Sequence, residues 1–282
     1  MGVWANDSKD YSKMIHRVKY PEEITHDDLD IIYDKSIVFG IAGYNVDVKL
    51  LRKRIEYLAE GFEHTKFCIY GLDSTDGNTL YYYKKWAQED DRVYLIPPIK
   101  LDDCSMSDLS RTVRIGKIRN EVLRAMKDDY FDKISHYHSF DYAIIYDADH
   151  QGPMSKLGLI DSIELIDSGE VDVVCAYGTV RNFGTDFLYD NYALRMPGAK
   201  RHMRGSILDV LQLKLENDVT IVDSGFSGAA IYRYDDLINY HYSEEDDICE
   251  HVGLHHEMRR DDLKICIYKP LHIHVGEQPS VG

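Results

Sequence analysis

Asp147 and Asp149 stand one residue apart in the stretch Asp141-Tyr-Ala-Ile-Ile-Tyr-Asp147-Ala-Asp149-His150. The run from Tyr142 to Tyr146 is apolar and aromatic with β-branched members, so it reads as a buried strand that delivers two carboxylates at its end. In open α/β sheets ligands bind in the crevice outside the carboxyl ends of the strands. Two hard oxygen donors placed there suit Mg²⁺ or Mn²⁺, and a bound divalent ion suits a diphosphate. The competing reading is a helix start, where acids are also favoured.

The elements around this stretch must bring partners to it. Ser36 to Asn45 reads as a buried strand breaking into a Gly-containing turn, and Val48, Leu51, Ile55, Leu58 and Ala59 recur at helical spacing before Gly61. Thr65 to Tyr70 is a second strand that ends in Gly-Leu-Asp73-Ser-Thr-Asp76-Gly-Asn. Strand, helix and strand make one βαβ unit and hence a parallel sheet with right-handed crossovers. A helix from Leu80 to Gln88, a short strand from Arg92 stopped by Pro97-Pro98, and a long helix from Leu109 to Lys127 carrying Arg119 and Asn120 precede the Asp-x-Asp strand. After it come a helix (Leu157 to Ser168) and a strand (Val171 to Tyr177), then an irregular stretch from Thr179 to Asn217. Gly225 and Gly228 are flanked by apolar residues, the composition of backbone that approaches a ligand closely or forms a bulge. Glu244 to Arg260, acidic first and basic last, suits a helix dipole. The terminal strand from Ile265 ends in His272 and His274, which alternate and so face opposite sides.

Composition sets limits. The 282 residues have room for one large domain with a sizeable core, 44% of them being hydrophobic. No run has the length of apolar residues needed to span a bilayer, and the N-terminus lacks the apolar core of a signal peptide, so a soluble, cytoplasmic protein is expected. Five scattered cysteines without a Cys-x-x-Cys pair read as reduced, mostly buried thiols. The net charge of −16 excludes a general nucleic-acid binder, and it means that an anionic ligand needs local help from a metal or a few placed arginines.

The ordered set of Gly43-Tyr44-Asn45, Asp73-Ser-Thr-Asp-Gly-Asn, Gly116-Lys-Ile-Arg119-Asn120 and Asp147-Ala-Asp149 resembles nucleotide-sugar-dependent glycosyltransferases of the GT-A fold. The later segments Asp190-Asn-Tyr-Ala-Leu-Arg195, Gly225-Phe-Ser-Gly228 and Cys249-Glu-His-Val-Gly-Leu-His255 are similar to those of glycosyltransferases from large DNA viruses and, more loosely, of fungal capsule-associated mannosyltransferases. This resemblance implies an α/β fold with a Rossmann-like, mostly parallel sheet flanked by helices and an elaborated acceptor-binding second half. Residues 1–35 are polar and charged and read as an N-terminal arm, and the absence of repeats and clear linkers gives one domain (36–282), which the resemblance divides into a nucleotide-sugar half (36–150) and an acceptor and catalytic half (151–282). If the source is viral, the location would be the host cytoplasm.

Carried over by position, the resemblance implies that Ala42, Gly43, Tyr44 and Asp73 hold the base of a UDP- or GDP-sugar, with Arg119 and Asn120 near the nucleotide. Asp147 and Asp149 would bind Mn²⁺ or Mg²⁺ bridging the diphosphate, Asp147 also lying near the ribose, and one of His272 and His274 would complete the metal shell. Gly225, Phe226, Ser227 and Gly228 would meet a glycan or glycoprotein acceptor, and Glu250, with Asp247 in reserve, would take the acceptor proton in an inverting transfer. Two other functions compete. A sugar-phosphate nucleotidyltransferase shares the metal chemistry, but Gly40-Ile-Ala-Gly-Tyr-Asn45 lacks the basic residues of its phosphate loop. A non-catalytic carbohydrate-binding protein is favoured by the 22 tyrosines, although tyrosines spread over a whole chain more often fill cores and surfaces than line one groove.

Overall fold

The computed structural model describes residues 24–43, 46–71, 78–97, 108–127, 139–150, 152–182, 185–215 and 217–277. Tyr44 and Asp73 lie outside the described residues. In chain order the elements are α1 (His26–Asp30), β1 (Ser36–Gly43), α2 (Val48–Ala59), β2 (His64–Gly71), α3 (Asn78–Glu89), β3 (Val93–Leu95), α4 (Arg111–Lys127) and β4 (Tyr142–Asp147). They continue with α5 (Lys156–Asp167), β5 (Val173–Asn182), β6 (Thr185–Leu188), α6 (Ile207–Leu215), β7 (Val219–Val222), β8 (Ala229–Arg233), α7 (Tyr234–Leu237), α8 (Glu250–Arg260) and β9 (Ile265–Glu277).

The strands join one sheet in the order β3-β2-β1-β4-β8-β5-β9-β7, with β6 paired to β5. Each central strand is buried on both faces, and alternate residues feed two cores. Ile37, Phe39 and Ile41 of β1 pack with α2, α3 and α5 through Leu51, Ile55, Trp86 and Ile163, whereas Val38 packs on the other face with Ile118, Val122 and Met126 of α4. The result is an α/β fold with helices on both sides, the class expected from the alternation of strand and helix patterns.

β1 to β4 are mutually parallel, as the βαβ reading requires. The second half departs from the mostly parallel sheet, because β8 enters antiparallel between β4 and β5, and β7 lies antiparallel on β9. The chain makes this change through the tight turn before β8, where Ser227 (φ 50) and Gly228 (φ 99) both adopt left-handed backbone.

Two further differences have local causes. The stretch from Thr179 to Asn217 holds β6 and α6, and α6 is closed by a capping box in which Ser206 N–H and Oγ–H donate to Asp209 while Asp209 N–H donates to Ser206 Oγ. The helix expected from Glu244 begins at Glu250 instead, because Asp247 has φ 62 and residues 242–244 are held against α4. Asn120 does the holding, donating to the Tyr242 carbonyl and the Glu244 carboxylate and accepting from Tyr242 N–H. A Cβ at Gly116, one turn earlier, would collide with the Ser243 carbonyl. No helix among the described residues is long and apolar enough to cross a membrane. The four described cysteines, Cys68, Cys175, Cys249 and Cys266, are buried free thiols.

Candidate active site

The strand order runs outward from β1 to β3 and then returns to the other side of β1 through β4, so the sheet has a switch point between β1 and β4. There the carboxyl ends of two parallel strands part and leave a crevice. Ala42 pairs in register with Asp147, and Ala148 N–H donates to the Ala42 carbonyl at 3.2 Å. Ala42 and Gly43 therefore lie at the same sheet edge as the Asp-x-Asp acids. Because β8 is antiparallel to β4 with Tyr146 opposite Ala229, the turn from Phe226 to Gly228 arrives at that edge as well.

The donor atoms of Asp147, Asp149 and His150 lie within 4.8 Å of one another. His150 is buried, and its Nε2–H donates to the Gly228 carbonyl at 3.1 Å, which leaves Nδ1 as the nitrogen with a lone pair. Nδ1 is buried without a hydrogen-bond partner. An imidazole that donates one nitrogen to a backbone carbonyl and keeps the other bare is the arrangement of a metal-binding histidine. The Gly228 carbonyl also accepts from Asp147 N–H at 2.9 Å, so one peptide group aligns an acid and the imidazole. Only glycine serves at 228, since a Cβ would run into the His150 ring. From the other side Arg54 of α2, itself buried, donates to the His150 carbonyl.

Arg119 ties this cluster to the second half of the chain. Its Nη2 donates to Asp147 Oδ1 at 2.7 Å and its Nε to Glu250 Oε1 at 2.9 Å, while its Cζ sits 4.8 Å from the ring centre of Phe226 and 5.6 Å from that of Tyr242. Burial would lower the pKa of this guanidinium, but Asp147 and Glu250 outweigh burial and hold it above the ordinary arginine value. Glu250 opens α8 and is buried, and its Oε2 accepts a long thiol contact of 3.7 Å from Cys249. His251 beside it is kept neutral by burial and by the Arg119 charge, and its ring stacks on Phe226 at 3.5 Å.

Asp190 also faces this cluster. Burial first, and then the Glu250 and Asp147 charges, push its carboxyl up to about 6, although Ala193 N–H donates to it at 3.1 Å. Crowding by protein and the Asp147 charge raise Asp149 above the usual carboxylate range. Asp147 and Glu250 share the Arg119 guanidinium and Asp149 and Asp190 add two further acids near them, so the excess of negative charge favours a cation.

The structure places the remaining residues read from the sequence as follows. Asp247 is exposed on the turn before α8. Asn120 directs its amide at residues 242–244, as described above. His272 donates to or accepts from Thr179 Oγ1 at 2.8 Å, and its backbone carbonyl accepts from Ser155 N–H. The His274 carbonyl accepts from Gly152 N–H at 2.8 Å. β9 is thereby laced to the loop that follows the acids, but the three-donor cluster takes its imidazole from His150. Arg54 and His150 were not singled out from the sequence, and Asp190 entered only as the first residue of the segment Asp190–Arg195, without a role. For His150 the signal was its position directly after Asp149; an arginine in an amphipathic helix offers none.

No protein-family model matches the chain, and no curated protein is significantly similar to it. Among solved structures, the chain is similar to TarS of S. aureus. The structure of TarS residues 1–349 aligns with 86% of this chain and 60% of its own at 14% identity and a TM-score of 0.48. The same TarS fragment in complex with UDP-GlcNAc aligns with 87% of this chain and 59% of its own at 13% identity and a TM-score of 0.49, and in complex with UDP at 13% and 0.48. The chain spans about three-fifths of the TarS fragment it matches.

Proposed function

We propose that the protein is a metal-dependent glycosyltransferase of the GT-A type that moves a sugar from a UDP- or GDP-sugar to a hydroxyl of a glycan or glycoprotein, with inversion. The observation that carries this reading is the cluster of Asp147, Asp149 and His150 at the switch point of the sheet, with a bare, buried imidazole nitrogen. The motif order in the sequence supports the same assignment.

The donor set fits a divalent ion. Two carboxylates and one imidazole suit Mn²⁺ better than Mg²⁺, which prefers oxygen ligands and water. When bound, such an ion neutralises the charge that develops on the departing diphosphate. Asp147, Asp149 and His150 would hold it. His272 and His274, on the strand laced to the neighbouring loop, are the further candidates carried over by resemblance.

The chain's own groups supply the rest. Ala42 and Gly43, with Tyr44 and Asp73, would receive the nucleotide base and ribose beside Asp147. Arg119 orients Asp147 and Glu250 through one hydrogen bond to each. Glu250, whose Oε1 is fixed by Arg119, presents Oε2 to take the proton from the acceptor hydroxyl as the new glycosidic bond forms and the bond to the diphosphate breaks. The turn of Gly225, Phe226, Ser227 and Gly228 is buried beneath the acids, with His251 stacked on Phe226, so its part in acceptor binding would be to support the site from below.

Incubation with a panel of nucleotide sugars and Mn²⁺, scoring released nucleoside diphosphate, tests the reading. Release from a UDP- or GDP-sugar that disappears in Asp149→Ala supports it. Pyrophosphate-dependent formation of a nucleotide sugar would establish a nucleotidyltransferase instead, and sugar binding without turnover or a metal requirement would establish a binding protein.

A further inference from the structure

The chain carries a net charge of −16, yet one cavity of about 310 Å³ is walled by Arg195, Arg201, His256, Arg259 and Arg260, with Asp223 as the one acid in its lining. Arg201 belongs to the turn Lys200-Arg201-His202-Met203-Arg204, which leads directly into α6. Three of the cavity's arginines are matched at the surface, Arg201 to Glu245, Arg259 to Asp223 and Arg260 to Glu257. Lys200 and Arg204 have no acidic partner among the described residues; the Arg204 guanidinium lies over the Tyr192 ring at 4.5 Å.

α6 carries aliphatic residues on its exposed side as well as on its packed side. Leu213 is fully buried and Val210 packs against the core, while Ile207, Leu208 and Leu211 are 79%, 75% and 48% exposed, and Met203 just ahead is 59% exposed. Asp209 and Gln212 interrupt the outer face, but a run of exposed aliphatic residues on a helix whose other side is already packed is a patch that a partner covers. The Ser206 and Asp209 capping box shows that these residues stand on a formed helix and are not a frayed end.

We propose that this face docks on a bilayer surface bearing anionic phospholipid headgroups, with headgroup phosphates at Lys200 and Arg204 and with Ile207, Leu208 and Leu211 in the acyl boundary. Exposed aliphatic side chains flanked by Lys and Arg are the composition of a helix that lies in a membrane interface. A second copy of the chain is the poorer occupant, because a two-fold contact through α6 would set the same cations against each other. The remaining negative charge of the chain is repelled by such a surface, so attachment is oriented through this patch. The turn from Asp190 to Arg195 joins the patch to the cluster of Asp147 and Glu250; on the glycosyltransferase reading, docking presents that site to acceptors at a membrane. The docking itself does not rest on that reading.

The full chain should co-sediment with vesicles of phosphatidylcholine mixed with phosphatidylglycerol and much less with phosphatidylcholine alone. Leu208→Glu with Leu211→Glu, and separately Lys200→Glu with Arg204→Glu, should each weaken binding by about tenfold or more while melting temperature and circular dichroism stay near native. Equal binding to both vesicle types, no binding to either, or binding unmoved by both pairs would overturn the proposal. So would a concentration-dependent dimer that Leu208→Glu with Leu211→Glu dissociates, which would assign α6 to a second copy. A pair that fails to fold leaves the other pair and the vesicle comparison to decide.

Discussion

Arg119→Met removes the cation that the buried Glu250 and the half-buried Asp147 share and retains apolar contact with Phe226 and Tyr242. The side chains of Arg119 and Glu250 are 6% and 8% exposed, and that of Asp147 is 25% exposed. Breaking a buried pair by deleting one partner costs about 3 to 5 kcal/mol, because the abandoned charge cannot recover its hydration. The aromatic contacts would add at most about 1 to 2 kcal/mol if their cation component were lost. The carboxylate term therefore dominates, and the variant should lose about 3 to 5 kcal/mol of unfolding free energy at neutral pH.

Arg119→Met with Glu250→Gln should recover part of the loss, since one of the stranded charges is gone. Urea denaturation at neutral pH, followed by fluorescence of Trp86, which is buried against Phe67, reads the parent and each variant. A loss below about 1 kcal/mol, no larger than that of the exposed Arg124→Met, or a double variant no better than the single one, would refute the bridging role.

Three other perturbations address separate parts of the site. His150→Ala should weaken Mn²⁺ binding, followed by paramagnetic resonance, by about tenfold or more, and the same measurement on His272→Ala and His274→Ala shows whether β9 contributes a ligand. Asp190→Asn should stabilise the protein by about 1 to 2 kcal/mol at pH 7. The native Asp190 carboxyl, held up to about 6, keeps a proton that the unfolded chain has lost, so stability falls as pH rises from about 4 to about 6 and the amide abolishes that fall. A pH profile of melting temperature unchanged by the substitution would show that the site does not hold Asp190 protonated. Glu250→Gln should lower turnover by about 10² to 10⁴-fold with donor affinity little changed, and product analysis by NMR should show inversion; near-native turnover or retention would remove Glu250 as the base.

The first half of the fold was legible because its physics is local. Buried parallel strands are short apolar runs, their helices repeat apolar residues at helical spacing, and the strands' register then brings Ala42 to Asp147 without further information. The second half was less legible because its order is set by contacts between distant segments. An antiparallel strand reads the same as a parallel one when both faces are buried, so nothing in Ala229–Arg233 announced its direction. The start of α8 was misplaced because Asp246 and Asp247 have helix-start chemistry, while the outcome depends on Asn120 holding residues 242–244 in place. Glu250 was visible as an acid at a helix start, but its contact with Arg119 spans 131 positions of sequence. His150 shows the same limit in miniature: its place beside Asp149 was plain, and its bare Nδ1 exists only because the backbone of Gly228 occupies Nε2.

Calorimetric titration of UDP and GDP with and without Mn²⁺ shows whether Asp147, Asp149 and His150 hold a divalent ion for a nucleoside diphosphate. One of the two nucleotides should bind with Mn²⁺ present, binding should fall by about tenfold or more in EDTA, and Asp149→Asn in Mn²⁺ should reproduce the EDTA result. Equal affinity with and without the metal, or an Asp149→Asn variant that binds as the parent does, would contradict that assignment.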